Sequence, residues 1–216
     1  MKIKLGLVDD HQLFLDGFSV MLQSLQDFEV VVEARNGRLL QGKLEDQKDL
    51  PDLMIIDTDM PVMDGTETTL WLQQYYPSIK LIAMAMDLRD RAIIKMLKAG
   101  CRSYLFKDVF PEELKKALQK VHKKGYFNPD KIVPLSEELF GWEKKEQSII
   151  LTNEEQQFLQ LAFSELSYEQ IMVEMNISGK MANRYIDSLF KKFGVKSRLG
   201  LVLEASKRGV GSLKDL

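Results

Sequence analysis

Along the first 125 residues the apolar positions switch repeatedly between two periods. Short runs rich in Val, Ile and Leu predict strands over residues 4–8, 29–34, 53–56, 80–86 and 103–106. Between them, turn-spaced apolar positions predict helices. Phe14, Phe18, Met21, Leu22 and Leu25 mark one over 13–25, and a weaker one follows over 39–44. A helix over 67–76 stops at Pro77, and one over 90–98 ends at Gly100. A helix over 111–124 has Pro111 at its entry and Gly125 at its exit. Strict strand–helix alternation predicts a parallel sheet covered on both faces.

Five strands and five helices fit an α/β, flavodoxin-like five-stranded parallel domain over residues 1–125. Residues 126–150 break the pattern with Asn128-Pro129, Pro134, Gly141 and a charged run at 143–146, and are expected to form a linker. Phe140 and Trp142 suggest that part of it packs down. From 151 to 216 strand signals nearly vanish and a small all-α domain is expected. Thr152 with Glu155, and Ser167 with Gln170, have the spacing of capping boxes. Phe158, Leu159, Ala162 and Phe163 form the stripe of the first helix; Ile171, Met172 and Met175 belong to the second. A third runs over 180–193 before Gly194, and a fourth over 198–207. Short helix–turn–helix units of this size are a DNA-reading architecture, though many small bundles have other roles.

Composition narrows the class. Of 216 residues 45% are apolar and 29% charged, which is ordinary for a soluble protein. The single cysteine, Cys101, excludes an intramolecular disulfide and a cysteine zinc site, and fits a reducing compartment. No apolar run approaches the roughly 18 residues that span a membrane, and the chain opens directly on a strand, so a cytoplasmic protein is expected. The formal net charge of −2 hides an asymmetry: from Lys180 to Gly209 eight bases face two acids, a local +6. Such a footprint suits nucleic acid, or equally a solvated helical face.

Candidate chemistry gathers at strand ends. Asp9 and Asp10 follow the first strand and Asp57 the third, so adjacent first and third strands would bring three carboxylates together. They repel unless a cation joins them, and hard oxygen ligands beside a phosphate suit Mg²⁺. Lys107 follows the fifth strand and would aim an ammonium at the same edge. A carboxylate nucleophile, a metal and a lysine make a site for phosphoryl transfer. His11 is expected to be a solvent-facing loop residue, and Met84, Met86 and Met96 to fill core gaps.

Asp9-Asp10, the loop Asp57-x-x-Met60-Pro61-x-Met63-Asp64-Gly65 and the run Tyr104-Leu105-Phe106-Lys107-Asp108 resemble a response-regulator receiver domain. The resemblance implies phosphorylation of Asp57 by a histidine kinase's phosphohistidine. It implies Mg²⁺ held by Asp10, Asp57 and the backbone carbonyl of Asp59, with Asp9 assisting, and Lys107 on the phosphoryl group. One position departs. Receivers carry Thr or Ser where this chain has Ala85, which has no donor, while the partner aromatic, Tyr104, is present. The expectation is phosphorylation with a weakened or rewired switch.

The second half is similar to a LuxR-type helix-turn-helix, through Leu151-Thr152…Glu155…Leu159, Leu166 to Ile171 and Phe190 to Arg198; joined to a receiver this is the NarL/FixJ class. That implies a DNA-binding transcription regulator acting as a homodimer on double-stranded DNA. Asn183, Arg184 and Asp187 would face bases, and Lys180, Lys191, Lys192, Lys196 and Arg198 would contact phosphates. The recognition helix opens on Met181-Ala182-Asn183 where the family has Thr-Val-Lys, and Tyr185 replaces a histidine. Rival readings are a regulator that binds DNA without phosphate, a protein-interaction adaptor, and a phosphohydrolase. For the last, Asp57-Thr58-Asp59 is similar to the aspartate pair of haloacid-dehalogenase-like phosphatases, but Pro61 departs from their pattern.

Overall fold

The computed structural model describes residues 2–86, 90–131 and 149–210. It divides into two compact units, residues 1–129 and 130–216. Phe140 and Trp142, with most of the expected linker, lie outside the described residues.

In the first unit the expected alternation is realised as β1 (Ile3–Val8), α1 (Gln12–Ser24), β2 (Phe28–Ala34), α2 (Gly37–Glu45), β3 (Leu53–Asp57), α3 (Gly65–Tyr75), β4 (Lys80–Ala85), α4 (Asp90–Ala99), β5 (Ser103–Phe106) and α5 (Pro111–Lys124). The five strands form one parallel sheet in the order β2-β1-β3-β4-β5. β1 and β3 are neighbours, as the acidic pocket requires.

Strand alternation sends successive side chains to opposite faces. Leu5 and Leu7 of β1, Leu53 and Ile55 of β3, and Leu105 of β5 share one face, packed under Leu15, Phe18 and Leu22 of α1 and Leu114, Leu118 and Val121 of α5. Asp9, Asp57 and Lys107 each occupy the next position of the same parity. They therefore cap the apolar rows of this face at the carboxyl edge of the sheet. Phe127, just beyond α5, belongs to this core as well.

The other face carries Ala83 and Ala85 of β4. Register places Ala83 beside Tyr104 and Ala85 beside Phe106. β4 ends at Ala85, one residue short of expectation, and Met86 is 70% exposed rather than core.

The loop after β3 is tightly built. Asp64 caps α3 in a capping box with Glu67. A Cβ at Gly65 would collide with the Asp57 carbonyl oxygen, so this glycine permits α3 to start against the end of β3. Val62 sits at φ 73°, a left-handed conformation costly for a β-branched residue.

The second unit has four helices among the described residues: α6 (Asn153–Ala162), α7 (Tyr168–Glu174), α8 (Gly179–Phe193) and α9 (Arg198–Lys207). Both expected capping boxes are present, at Thr152/Glu155 and Ser167/Gln170. Ser178 and Ser197 cap α8 and α9, and Gly194 ends α8 in the left-handed conformation. Phe158, Leu159, Ala162 and Phe163 are all buried, as are Ile171, Leu189 and Phe193. Glu204 is fully buried, 2.8 Å from Lys131 and 3.0 Å from Arg208.

Two opposite outcomes are expected in urea unfolding. Val62→Gly relieves the left-handed strain and stabilises by about 0.5–1 kcal/mol. Gly65→Ala forces α3 away from β3 and destabilises by about 2–3 kcal/mol. Equal midpoints for the three proteins would contradict this account of the loop.

Candidate functional site

The carboxyl edge of the sheet brings together the acidic residues singled out above. Asp9 and Asp57 are 3% and 4% exposed, and the Lys107 ammonium lies between them, 2.6 Å from Asp9 Oδ2 and 3.1 Å from Asp57 Oδ2. The backbone N–H of Thr58 donates to Asp57 Oδ1 at 2.9 Å, and that of His11 donates to Asp9 Oδ1 at 3.0 Å. Burial pushes the Asp57 pKa up from 3.8 to about 6; the neighbouring Asp9 charge adds to the rise, while Lys107 and the Thr58 N–H oppose it. Burial acts against the Lys107 ammonium, but its hydrogen bonds and charge pairing with Asp9 and Asp57 outweigh this and raise its pKa.

Asp10 is half-buried, and its Oδ1 is a buried oxygen without a hydrogen-bond partner. His11 Nδ1 lies 2.9 Å away but outside hydrogen-bonding geometry. Candidate ligand atoms of Asp9, Asp10, His11 and Asp57 all fall within 4.8 Å of one another. An orphaned carboxylate oxygen beside two further carboxylates fits a hard divalent cation. His11 is exposed, as expected, and, following the acid pair directly, it also borders this cluster. Asp59 lies in the exposed loop two residues after Asp57.

Ala85 and Tyr104 are both buried, on the sheet face opposite the Leu5–Leu53–Leu105 core. Tyr104 is 1% exposed and packs edge-on against Phe106 at 5.8 Å. The Ala85 carbonyl accepts from the Lys107 N–H at 2.9 Å.

In the second unit α8 presents Lys180, Asn183, Arg184, Asp187 and Lys191 on one exposed face, at three- and four-residue spacing. Lys196 is exposed in the turn that follows. Tyr185 turns inward and meets Phe158 at 5.9 Å. One expected phosphate contact, Arg198, needs correction. Arg198 is 5% exposed, and its guanidinium donates to the carbonyls of Leu161, Ala162, Ser164 and Leu166. It ties the α6–α7 turn to α9 and is turned away from the surface. Lys192 Nζ is held by Glu155 Oε2 at 2.6 Å and the Ile150 carbonyl at 3.0 Å. Glu155 also accepts from Ser188 at 2.6 Å; burial disfavours its charge, but these bonds hold its pKa below the usual range. Basic residues in a run do not reveal which of them turn inward, and no signal short of packing separates Arg198 from Lys196.

Residues 5–119 match the response regulator receiver domain family, which covers more than half of the chain. The chain belongs to the response-regulator family. Residues 149–205 match the luxR family of bacterial regulatory proteins. This response regulator is a DNA-binding transcription factor with a LuxR-type helix-turn-helix, not a catalytic enzyme, and its receiver is of the kind phosphorylated on aspartate. It is 29% identical over 225 residues to the transcriptional regulatory protein DegU of Brevibacillus brevis, covering 96% of this chain and 94% of that one. To the response regulator protein VraR of Staphylococcus aureus it is 28% identical over 208 residues, covering 95% and 97%. Among solved structures it resembles the response regulator RcsB in complex with DNA in fold, with a TM-score of 0.53, 23% identity and coverage of 95% and 98%. No helix among its described residues is long and apolar enough to cross a membrane.

The pKa of Asp57 sets a pH dependence. A carboxylate whose folded pKa is raised binds its proton more tightly in the folded state, so stability falls as pH rises from about 4 to about 6. In metal-free buffer this loss reaches at most about 3 kcal/mol. Urea midpoints of wild type measured across this range should fall relative to those of Asp57→Asn; parallel profiles would contradict the assignment. Separately, Arg198→Ala strands buried carbonyls and should destabilise the helical unit by about 3 kcal/mol or more, read as the melting of its helices. A variant that melts like wild type would restore Arg198 as a surface contact.

Proposed function

We propose that Asp57 is the phosphoacceptor of a two-component phosphorelay and that phosphorylation is only weakly transmitted to DNA binding. The observation carrying the first part is the buried Asp57 carboxylate, oriented by the Thr58 N–H and bridged to Asp9 by the Lys107 ammonium. An Asp57 oxygen attacks the phosphorus of a histidine kinase's phosphohistidine. The phosphorus–nitrogen bond breaks and the imidazole leaves. Lys107 shifts its charge from the carboxylates to a phosphoryl oxygen. Asp10, Asp57 and the Asp59 carbonyl would hold Mg²⁺, with Asp9 assisting, and the ion neutralises phosphoryl charge when bound. The orphaned Asp10 oxygen supports that ligand set.

The domains on this reading are a receiver over 1–125, a linker over 126–150 and a helix-turn-helix domain over 151–216. The protein acts in the cytoplasm as a homodimer on double-stranded DNA. Asn183, Arg184 and Asp187 meet bases, and Lys180, Lys191 and Lys196 meet phosphates. Lys192, exposed beside them and paired with Glu155, is a further phosphate contact on this reading.

Ala85 motivates the second part. A threonine or serine hydroxyl would bond a phosphoryl oxygen and draw its loop inward; a methyl group does neither. Tyr104, already buried on the same sheet face, has no hydroxyl at position 85 to follow. One hydrogen bond to a charged group is worth about 1.5–3 kcal/mol, roughly a typical allosteric coupling energy.

DNA affinity, measured with and without a small-molecule phosphodonor in wild type and Ala85→Thr, tests this. Wild type should change less than about threefold, and the threonine variant by about tenfold or more. A tenfold response in wild type would overturn the weak-switch reading, and no salt-dependent binding to any DNA would overturn the DNA assignment.

A further inference from the structure

We propose that Phe14 is a positioning residue for the phosphoryl chemistry of Asp57, acting through the Lys107 ammonium. The proposal rests on the reading of Asp57 as phosphoacceptor. An ammonium has three N–H donors. Lys107 directs its charge to Asp9 and Asp57, and Nζ also lies 4.8 Å from the centre of the Phe14 ring. A cation within about 6 Å of an aromatic face is attracted to its quadrupole. Phe14 is braced in turn by Phe18, stacked at 5.0 Å with an interplanar angle of 24°. The two rings and the carboxylates of Asp9 and Asp57 line one small cavity with Ile55 and Met84.

This arrangement suits a lysine that must change partners. Side chains of Asp9 and Lys107 are only 4% and 5% exposed, so an ammonium leaving Asp9 for a phosphoryl oxygen cannot fall back on bulk water. A carboxylate there would compete for the charge. An aliphatic side chain would fill the space without attracting it. An aromatic ring takes no proton and contributes most while the ammonium has loosened from Asp9 and not yet reached the phosphoryl oxygen. Phe14 touches neither Asp57 chemistry nor the phosphodonor on this account; its effect is the placement of Lys107.

The test replaces Phe14 with mono-, di- and trifluorinated phenylalanine in the full chain, alongside Phe14→Leu and Phe14→Tyr. Fluorination drains the ring face with little change of shape. The readout is the rate of Asp57 phosphorylation by acetyl phosphate with Mg²⁺, with melting temperature measured on each protein. The rate should fall stepwise across the fluorinated series, reaching about 3- to 30-fold for the trifluorinated ring and for leucine, while tyrosine stays near wild type. The fluorinated proteins should melt like wild type. A flat fluorinated series overturns the proposal, as does a loss that tracks the melting temperature. If wild type itself is not phosphorylated on Asp57, the phosphoacceptor reading fails and this proposal with it; a flat series on a phosphorylated wild type removes Phe14 alone.

Discussion

One ammonium holds two buried carboxylates together at the edge of the sheet, and the site depends on it. Without Lys107, Asp9 and Asp57 would face each other in a desolvated cleft supported by backbone N–H groups and the His11 imidazole. With it, the pair stays charged but poised. Three carboxylates and one ammonium leave the cluster formally at −2 with His11 neutral. That excess is what a divalent cation would cancel; burial first, and then the neighbouring Asp9 charge, raise the Asp57 pKa. The same lysine links to the other half of the receiver through its backbone, donating to the Ala85 carbonyl.

Strand parity explains how so short a chain makes this site. Each reactive residue takes the first core-facing position beyond an apolar row, so the hydrophobic pattern that builds the sheet also aims the chemistry. The loop behind Asp57 is fixed from both sides, by the close approach of Gly65 and by the Asp64–Glu67 cap. Val62 in its left-handed conformation stores strain next to a reactive residue, a pattern that recurs at functional sites. Tyr104 and Ala85 sit on the other sheet face.

Much of this was legible in the chain, for identifiable reasons. Strand–helix alternation named all ten elements of the receiver, because the 2.0 and 3.6 periods differ clearly. Capping spacing located Thr152 and Ser167, since caps are local chemistry. Asp9, Asp57 and Lys107 could be placed together once β1 and β3 were taken as neighbours. What stayed hidden depended on packing. Arg198 reads as one more base in a basic run, but its neighbours on α9 are core residues and four carbonyls collect its donors. Phe14 reads as an ordinary apolar helix position, and only the fold shows what lies over its ring. Met86 followed a buried strand and was taken for its continuation, yet the sheet ends before it.

The central claim is that Asp57, among the crowded carboxylates, is the one that takes the phosphoryl group. An aspartyl phosphate reduced by borohydride becomes homoserine, which peptide mass mapping locates. After incubation with acetyl phosphate and Mg²⁺, homoserine should appear at position 57 and at no other aspartate, and should vanish when Mg²⁺ is chelated. Homoserine at position 9, 10 or 59, or none at all in a folded protein, would contradict the account.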